Sequence, residues 1–160
     1  MGKQEAAAYF HAIGRDDLQI MEFDQSSATV DLAARAVGVA PELIAKTLTY
    51  TLKDGAPIII VASGTGRISN RKYKDFFHCK AKMMSHEEAL ELTGHPVGGV
   101  CPFGLKNPMP VYLDEGLKQF EYVYPAAGAA NNAVKIRVEE FAALVNGQWI
   151  DVCESQEQER

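Results

Sequence analysis

Two neighbouring segments with different hydrophobic patterns constrain the fold of this 160-residue chain more than any other feature. In residues 46–52, Lys-Thr-Leu-Thr-Tyr-Thr-Leu, threonine alternates with larger side chains, as expected for a half-buried strand. Asp54-Gly55 follows and favours a tight turn. Residues 57–62 are continuously apolar, which is typical of a strand buried on both faces. The pair predicts a β-hairpin whose second strand is central in a sheet.

Capping signals predict two helices beside this hairpin. Thr29 is a suitable N-cap for a helix over residues 29–37, and Gly38 follows its last turn. Ser85 and Glu88 form the pattern of a capping box before a second helix. Other helices are expected at residues 3–13, 69–77 and 139–145, and other strands at residues 18–23, 79–84, 109–113, 120–124, 133–138 and 148–153. Strands with interspersed helices indicate an α/β or α+β fold, whose strand order the pattern leaves open.

The composition is that of a globular domain of ordinary size. With 160 residues, 47% of them hydrophobic, the chain is long enough to bury a core, and we expect one domain over residues 1–160. No apolar run approaches the roughly 20 residues that a membrane span needs. The N-terminal segment has no apolar signal region, so we expect a cytoplasmic protein without a membrane partner.

The three cysteines, Cys79, Cys101 and Cys153, do not indicate a metal site or a disulfide framework. Their spacing contains no close pair of the kind that binds zinc, and an odd number of cysteines cannot be fully paired. No histidine and carboxylate arrangement resembles a zinc site either. The sequence therefore predicts no metal and no cofactor.

Residues 98–104, Gly-Gly-Val-Cys-Pro-Phe-Gly, have the clearest chemical character in the chain. We call them the glycine loop. Their glycines permit positive φ angles and let another molecule approach the backbone closely. Pro102 fixes one backbone torsion, so the loop is shaped rather than floppy. Backbone N–H groups held in this way, together with Lys46, suit a carbonyl or phosphate ligand better than a metal.

Several blocks of sequence, in a fixed order, resemble one known family. They are residues 29–39, residues 44–48 (Ile-Ala-Lys-Thr-Leu), the glycine loop, and residues 111–115 followed by 122–128. In these blocks the chain resembles the YbaK/ProX family of aminoacyl-tRNA deacylases. This family includes free-standing relatives of the editing domain that is inserted in bacterial prolyl-tRNA synthetases. The resemblance covers roughly residues 29–141, and its specificity comes from the ordered set rather than from any one block.

The resemblance implies a fold and an activity. The fold would be a compact mixed β-sheet, partly curled like a barrel, with helices around it. The activity would be hydrolysis of the ester that joins a wrong amino acid to the 3′ end of a tRNA, without a metal or a protein nucleophile. The implied partner is the acceptor end of tRNA, and prolyl-tRNA synthetase is a further candidate.

The resemblance also assigns candidate site residues. Lys46 corresponds to the essential lysine of the family, and the backbone N–H groups of Gly99, Val100 and Cys101 correspond to oxyanion donors. The candidate substrate-binding residues are Thr47, Ser63, Gly64, Gly98, Pro102, Phe103, Gly104 and Gly128. Such an ester is already activated, so positioning and oxyanion stabilisation could supply much of the rate acceleration.

Two alternatives from other functional classes stay open in the sequence. Cys101 could be the nucleophile of a thiol hydrolase, which requires a nearby histidine. His78, His86 and His95 fall in no recognisable thiol-enzyme signature, and His95 is read as a turn residue. The other alternative is a non-catalytic module with the same fold that binds tRNA or a nucleotide.

A run of basic residues stands out against the net charge of −5. It contains Arg67, Arg71, Lys72, Lys74, Lys80 and Lys82, with Asp75 as the single acid. Such a run is often a solvated helix face, but a local basic patch can also attract a polyanion to an acidic protein. We expect Arg71, Lys72 and Lys74 to contact the tRNA acceptor end.

The identity of the edited amino acid stays open. Residues 129–133, Ala-Ala-Asn-Asn-Ala, depart from the more hydroxyl-rich stretch that many relatives have, and this segment often faces the aminoacyl pocket in the family. The resemblance favours small amino acids attached to tRNA for proline, with alanyl and cysteinyl esters ahead of seryl and threonyl esters.

Overall fold

Helices and strands are interspersed along the chain in the computed structural model, which describes residues 2–154. The helices are α1 (Lys3–Ala12), α2 (Val30–Val37), α3 (Asn70–Phe77), α4 (His86–Thr93) and α5 (Val138–Val145). The strands are β1 (Ile20–Glu22), β2 (Ile44–Thr51), β3 (Pro57–Ser63), β4 (Val111–Asp114), β5 (Tyr122–Pro125), β6 (Asn132–Val134), β7 (Ile136–Arg137) and β8 (Gln148–Ile150). Short 3-10 helices span Pro41–Leu43 and Glu115–Gln119. Within this part of the chain, every helix is too short or too polar to traverse a lipid bilayer.

The predicted hairpin lies at the centre of a six-stranded mixed sheet. β2 and β3 pair antiparallel, with Lys46 opposite Ala62. The strand order is β7-β5-β2-β3-β4-β8, and it combines parallel pairs (β2 with β5, β3 with β4, β4 with β8) with antiparallel ones. The sheet is curled, and β1 and β6 form a separate two-stranded sheet. This α+β architecture confirms the predicted fold class.

β2 and β3 separate two hydrophobic cores, because successive side chains of a strand point to opposite faces. On one face, Ala45 and Val61 belong to a core that also contains side chains of α1 and α5. On the other face, Tyr50 and Ile60 pack with Tyr73 of α3. β3 is therefore buried on both faces, as its continuous apolar pattern predicts.

The two capped helices are confirmed. Thr29 Oγ1 accepts the N–H of Leu32 at 3.2 Å at the start of α2. At α4 the capping box is complete, because Ser85 Oγ accepts the Glu88 N–H and a Glu88 carboxylate oxygen accepts the Ser85 N–H. These local signals fix where α2 and α4 begin, and both helices border the cleft described below.

Two strand predictions differ from the structure. The segment 79–84 is not a regular strand, and only Met83 forms an isolated bridge, to Tyr50. Residues 82–84 nevertheless follow the β2 edge, because the Thr51 N–H donates to Lys82 O and the Met84 N–H donates to Thr49 O. The segment 133–138 divides between β6 and β7, which lie in different sheets. A hydrophobic pattern does not show where a chain leaves one sheet for another.

Asp114, at the end of β4, joins two parts of the sheet that are distant in sequence. Its carboxylate is 2% exposed. One oxygen accepts the N–H groups of Val152 and Cys153 at 3.0 and 3.1 Å, and the other accepts the Gly116 N–H at 2.8 Å. The carboxylate thereby fixes the segment after β8 against β4.

We expect Asp114→Ala to lower the free energy of unfolding by about 3 kcal/mol, because it leaves buried N–H groups without an acceptor. The control is Asp151→Ala, since Asp151 makes an exposed ion pair with Lys72 that we expect to contribute less than about 1 kcal/mol. Urea unfolding followed by circular dichroism measures both. Equal losses in the two variants would contradict the role given to Asp114.

Candidate functional site

A cleft of about 430 Å³ lies at the β2 edge of the sheet. Residues from segments 27–33, 44–49, 83–89, 97–100 and 124–132 line it, so α2, β2, α4 and the glycine loop all contribute. Its volume falls in the range of small-molecule sites in proteins. We refer to it as the cleft.

The cleft occupies an interruption in the pairing of β2. On this edge β2 pairs with β5 only at Ile44 and Ala45. The segment 82–84 bonds to the same edge at Thr49 and Thr51. Backbone groups of alternate residues point to the same edge of a strand, so those of Thr47 face the interval between these two contacts. β2 therefore offers an N–H and a carbonyl to a molecule in the cleft.

Lys46 lies on β2 at the cleft, with its ammonium group held by two backbone carbonyls. Its Nζ donates to Gly66 O at 2.5 Å and to Gly64 O at 3.3 Å. An ammonium has three N–H donors, so one remains for a ligand. Partial burial lowers the pKa of Lys46, and nearby Arg67 lowers it further. The lysine is thus oriented by the protein and still able to bind an anionic or polar group.

The glycine loop is shaped by close approach to two other segments. Gly98 has a φ of 82°, and a Cβ there would lie 2.8 Å from the Cβ of Ala28. A Cβ on Gly99 would lie 2.5 Å from the Ala129 nitrogen. The Gly128 N–H also donates to Gly99 O at 3.0 Å. The loop is therefore packed against residues 128–129, with no room for side chains at its first two positions.

The predicted oxyanion donors differ in availability. The Gly99 N–H donates to Pro96 O at 2.9 Å and is engaged within the loop. Among residues 2–154, no backbone or side-chain acceptor is hydrogen-bonded to the N–H of Val100 or of Cys101. Val100 also lines the cleft. The donor role predicted for these residues is thus compatible with Val100, whereas the Gly99 N–H is engaged and Cys101 is fully buried outside the cleft lining.

Cys101 is buried beside a histidine but is not arranged as a nucleophile. Its side chain is fully buried, and its Sγ lies 3.5 Å from His95 Nε2. Burial raises the pKa of the Cys101 thiol to about 12 and lowers the pKa of His95. His95 Nε2 lies 2.7 Å from Phe103 O, a pure acceptor, so this nitrogen carries the proton and donates it. It cannot also accept the proton of the thiol.

Of the other predicted site residues, Thr47 and Gly98 line the cleft, whereas Ser63 and Gly64 do not. The Ser63 hydroxyl donates to Glu42 O at 2.7 Å. A Cβ on Gly64 would lie 2.3 Å from Pro41 O. Both residues hold the end of β3 against the turn that precedes β2, and Gly64 also supplies a carbonyl to Lys46.

The end of the glycine loop and Gly128 also lie outside the cleft lining. Pro102 and Phe103 are buried, and Phe103 belongs to the core formed with α1 and α5. A Cβ on Gly104 would lie 2.3 Å from Glu5 O, and one on Gly128 would lie 2.3 Å from the Gly2 carbonyl carbon. These residues position the loop against the N-terminal segment rather than contacting a ligand in the cleft.

The three predicted tRNA-binding residues have different environments. Lys72 is engaged by other groups of the protein, because its Nζ donates to Asp151 at 3.0 Å and to Cys153 O at 2.9 Å. Arg71 and Lys74 are exposed on α3. Lys72 therefore ties α3 to the segment after β8, and only the other two present their charges to solvent.

Sequence reasoning missed much of the cleft wall. Met83, Met84 and Tyr124 line the cleft, as does Asn132. The Asn132 side chain accepts the Ala127 N–H and donates to Ala127 O, both at 3.0 Å, and so holds the bend after β5. Tyr124 and Asn132 lie in segments that the family resemblance pointed to, but neither was named as a site residue, and no motif marks the two methionines. The nearest local signal to Met83 and Met84 is the capping box that begins α4, and it predicts a helix start rather than a ligand site.

Comparisons with known proteins identify the family to which the chain belongs. The family model "Aminoacyl-tRNA editing domain" matches residues 24–144. The chain is 41% identical over 158 residues to "Uncharacterized protein YwhH" of Bacillus subtilis strain 168, covering 98% of this chain and 100% of that protein. It is 26% identical over 131 residues to "Putative Cys-tRNA(Pro)/Cys-tRNA(Cys) deacylase EbsC" of Enterococcus faecalis, covering 81% and 80%. A crystal structure described as "a putative trans-editing enzyme for prolyl tRNA synthetase" matches with a TM-score of 0.88 at 29% identity, covering 96% and 98%.

We expect iodoacetamide to modify Cys79 but not Cys101 in the native protein near pH 8. Cys79 is half-buried, whereas Cys101 is fully buried and has a raised pKa. At a pKa of about 12, roughly one thiol in ten thousand is ionised at pH 8, against about a quarter for an ordinary thiol. Peptide mapping by mass spectrometry measures this, with urea-unfolded protein as the control in which both cysteines react. Rapid native alkylation of Cys101 would contradict its assignment as a core residue.

Proposed function

Because the chain belongs to the aminoacyl-tRNA editing domain family, as its sequence resemblance indicated, we propose that it hydrolyses the ester of a wrongly charged tRNA. One observation carries the proposal. The cleft brings Lys46 of β2 together with Val100 of the glycine loop, although these residues lie far apart in sequence. The cleft thus combines a cation with an available backbone N–H. The cation suits the ribose or phosphate oxygens at the end of a tRNA, and the N–H suits the carbonyl oxygen of the ester.

In the proposed reaction, a water oxygen forms a bond to the ester carbonyl carbon and the bond from that carbon to the ribose oxygen breaks. The ribose oxygen takes a proton, so the products are a free amino acid and a tRNA with an intact 3′ end. The N–H group of Val100 would stabilise the negative charge that develops on the carbonyl oxygen. A group of the substrate, such as the terminal ribose hydroxyl or the thiol of a cysteinyl ester, would assist the attack.

Lys46 would position the substrate rather than attack it. Its ammonium is fixed by the carbonyls of Gly64 and Gly66, which leaves one donor for a ribose oxygen or the terminal phosphate. Partial burial, the main cause, lowers the pKa of Lys46 below that of a free lysine. A fixed positive charge at this point would orient the ester carbonyl toward the loop.

The proposed substrate is a small amino acid, cysteine or alanine, attached to tRNA for proline. The names of two similar proteins support this class, since they refer to Cys-tRNA(Pro) and to prolyl-tRNA synthetase. Prolyl-tRNA synthetase is a candidate partner, because proline–tRNA ligases are among the proteins similar to this chain. Residues 1–160 would then act as one cytoplasmic editing domain. Residue 1 and residues 155–160 lie outside the described part.

We expect Lys46→Ala to lower the rate of deacylation at least about a hundredfold, because the substrate loses its oriented cation. The matched control is Lys53→Ala, which removes an exposed lysine from the turn between β2 and β3. Release of labelled amino acid from aminoacyl-tRNA measures the rate, and circular dichroism checks folding. Full activity of a folded Lys46→Ala protein would contradict the role of this lysine.

We expect the highest kcat/KM on cysteinyl- and alanyl-tRNA for proline in a panel of aminoacyl-tRNAs. Activity on several small esters is expected too, because an apolar pocket discriminates by only about 1–3 kcal/mol per methylene. The panel is assayed with and without a chelator. A clear preference for a large aromatic ester would contradict the substrate class, and loss of activity with chelator would contradict a metal-free mechanism.

The same experiments separate the alternatives. A non-catalytic binding module would bind tRNA tightly and release no amino acid from any member of the panel. A thiol hydrolase would lose all activity in Cys101→Ser, whereas a cleft of the proposed kind would retain most of it. The buried Cys101 and the protonated Nε2 of His95 argue for retention.

A further inference from the structure

A second surface depression, which we call the basic groove, is lined by residues of α3 and by Lys80 and Ala81, which precede segment 82–84 in the chain. Its volume is about 390 Å³. Asn70, Arg71 and Lys74 of α3 form one wall, and Lys80 and Ala81 form the other. The lining thus carries three basic side chains and no carboxylate, in a chain whose net charge is −5.

The charges of the basic groove are available to a ligand. Arg71, Lys74 and Lys80 are all exposed. Within residues 2–154, Lys74 and Lys80 form no ion pair, and Arg71 faces Asp75 at 3.6 Å in an exposed pair of the kind that contributes little. Lys72, on the same helix, is not part of the groove because its ammonium is bound to Asp151 and Cys153. The groove is therefore a local positive surface on an acidic protein.

The basic groove and the cleft are joined by a short, fixed piece of backbone. Ala81 lines the groove, whereas Met83 and Met84 line the cleft. Hydrogen bonds from Thr51 to Lys82 and from Met84 to Thr49 hold the connecting residues along β2. At about 3.3 Å per residue, the backbone from Lys80 to Met83 spans at most about 10 Å. That distance corresponds to about three stacked nucleotides at 3.4 Å each.

We propose that the basic groove binds the phosphate backbone of the tRNA acceptor end whose 3′ terminus occupies the cleft. The proposal rests on the proposed function, because it takes the cleft as the ester site. A tRNA is a polyanion, and a protein with a net negative charge must present a positive face to it. Flexible lysines and an arginine at the surface are suited to phosphates, whose recognition positions a nucleic acid without reading its sequence.

The experiment compares two variants with the same change in net charge. The groove variant carries Arg71→Ala, Lys74→Ala and Lys80→Ala. The control carries Lys53→Ala, Lys106→Ala and Lys135→Ala, which are exposed lysines outside both the groove and the cleft. Binding of an uncharged tRNA-Pro transcript is measured by fluorescence anisotropy over a series of salt concentrations. Hydrolysis is measured on aminoacyl-tRNA and on an aminoacyl-adenosine ester, which lacks the upstream phosphates.

We expect the groove variant to bind the transcript about tenfold or more weakly, with a salt dependence of log K reduced by about 2, since each phosphate contact contributes roughly 0.7–0.9. KM for aminoacyl-tRNA rises in parallel, and kcat/KM for the adenosine ester is unchanged. The control variant should bind nearly as the unmodified protein does.

Two results would overturn this proposal: groove and control variants with equal affinities, or a groove variant with the salt dependence of the unmodified protein. Either result would mean that the basic groove is only a solvated helix face. The binding measurement uses uncharged tRNA and needs no hydrolysis. A failure of deacylation therefore bears on the proposed function, and a failure of the binding difference bears on the groove.

Discussion

The incomplete pairing of β2 is the constraint on which the rest of the site depends. β5 covers one end of its edge at Ile44 and Ala45, and residues 82–84 cover the other end at Thr49 and Thr51. In a continuous sheet, a neighbouring strand would pair with the backbone groups of the interval between these contacts. Here the interval borders the cleft instead. An unpaired strand edge is normally a liability, and the flanking contacts and the glycine loop confine it to a short, concave stretch.

The glycine loop is held rigidly by its neighbours. Gly98 and Gly99 are in such close contact with Ala28 and Ala129 that a side chain at either position would clash. The backbone is therefore fixed by neighbours from other parts of the chain before a ligand arrives. In the proposed reaction, donors that are held in place would stabilise a developing oxyanion without reorganisation.

The sequence predicted a large share of the fold from particular residues. The alternating threonines, the apolar strand and the caps at Thr29 and Ser85 each reflect interactions within a few residues, and the structure confirms them. For the candidate site, the sequence grouped Lys46 with the glycine loop, and Lys46 and Val100 both line the cleft. It did not separate Val100, which lines the cleft, from Phe103, which is buried in the core. Both lie in one short loop, and the direction of each side chain depends on what packs around it.

The sequence by itself determined the local elements, the family resemblance and the clustering of basic residues, because capping, periodicity and charge are properties of neighbouring positions. The tertiary structure decided which of those residues are free to act. Lys72 is engaged with Asp151, 79 positions away, and Cys101 is buried with a histidine whose proton is directed elsewhere. Contacts between distant segments set burial and hydrogen bonding, and these in turn determine whether a charged or nucleophilic side chain can reach a ligand.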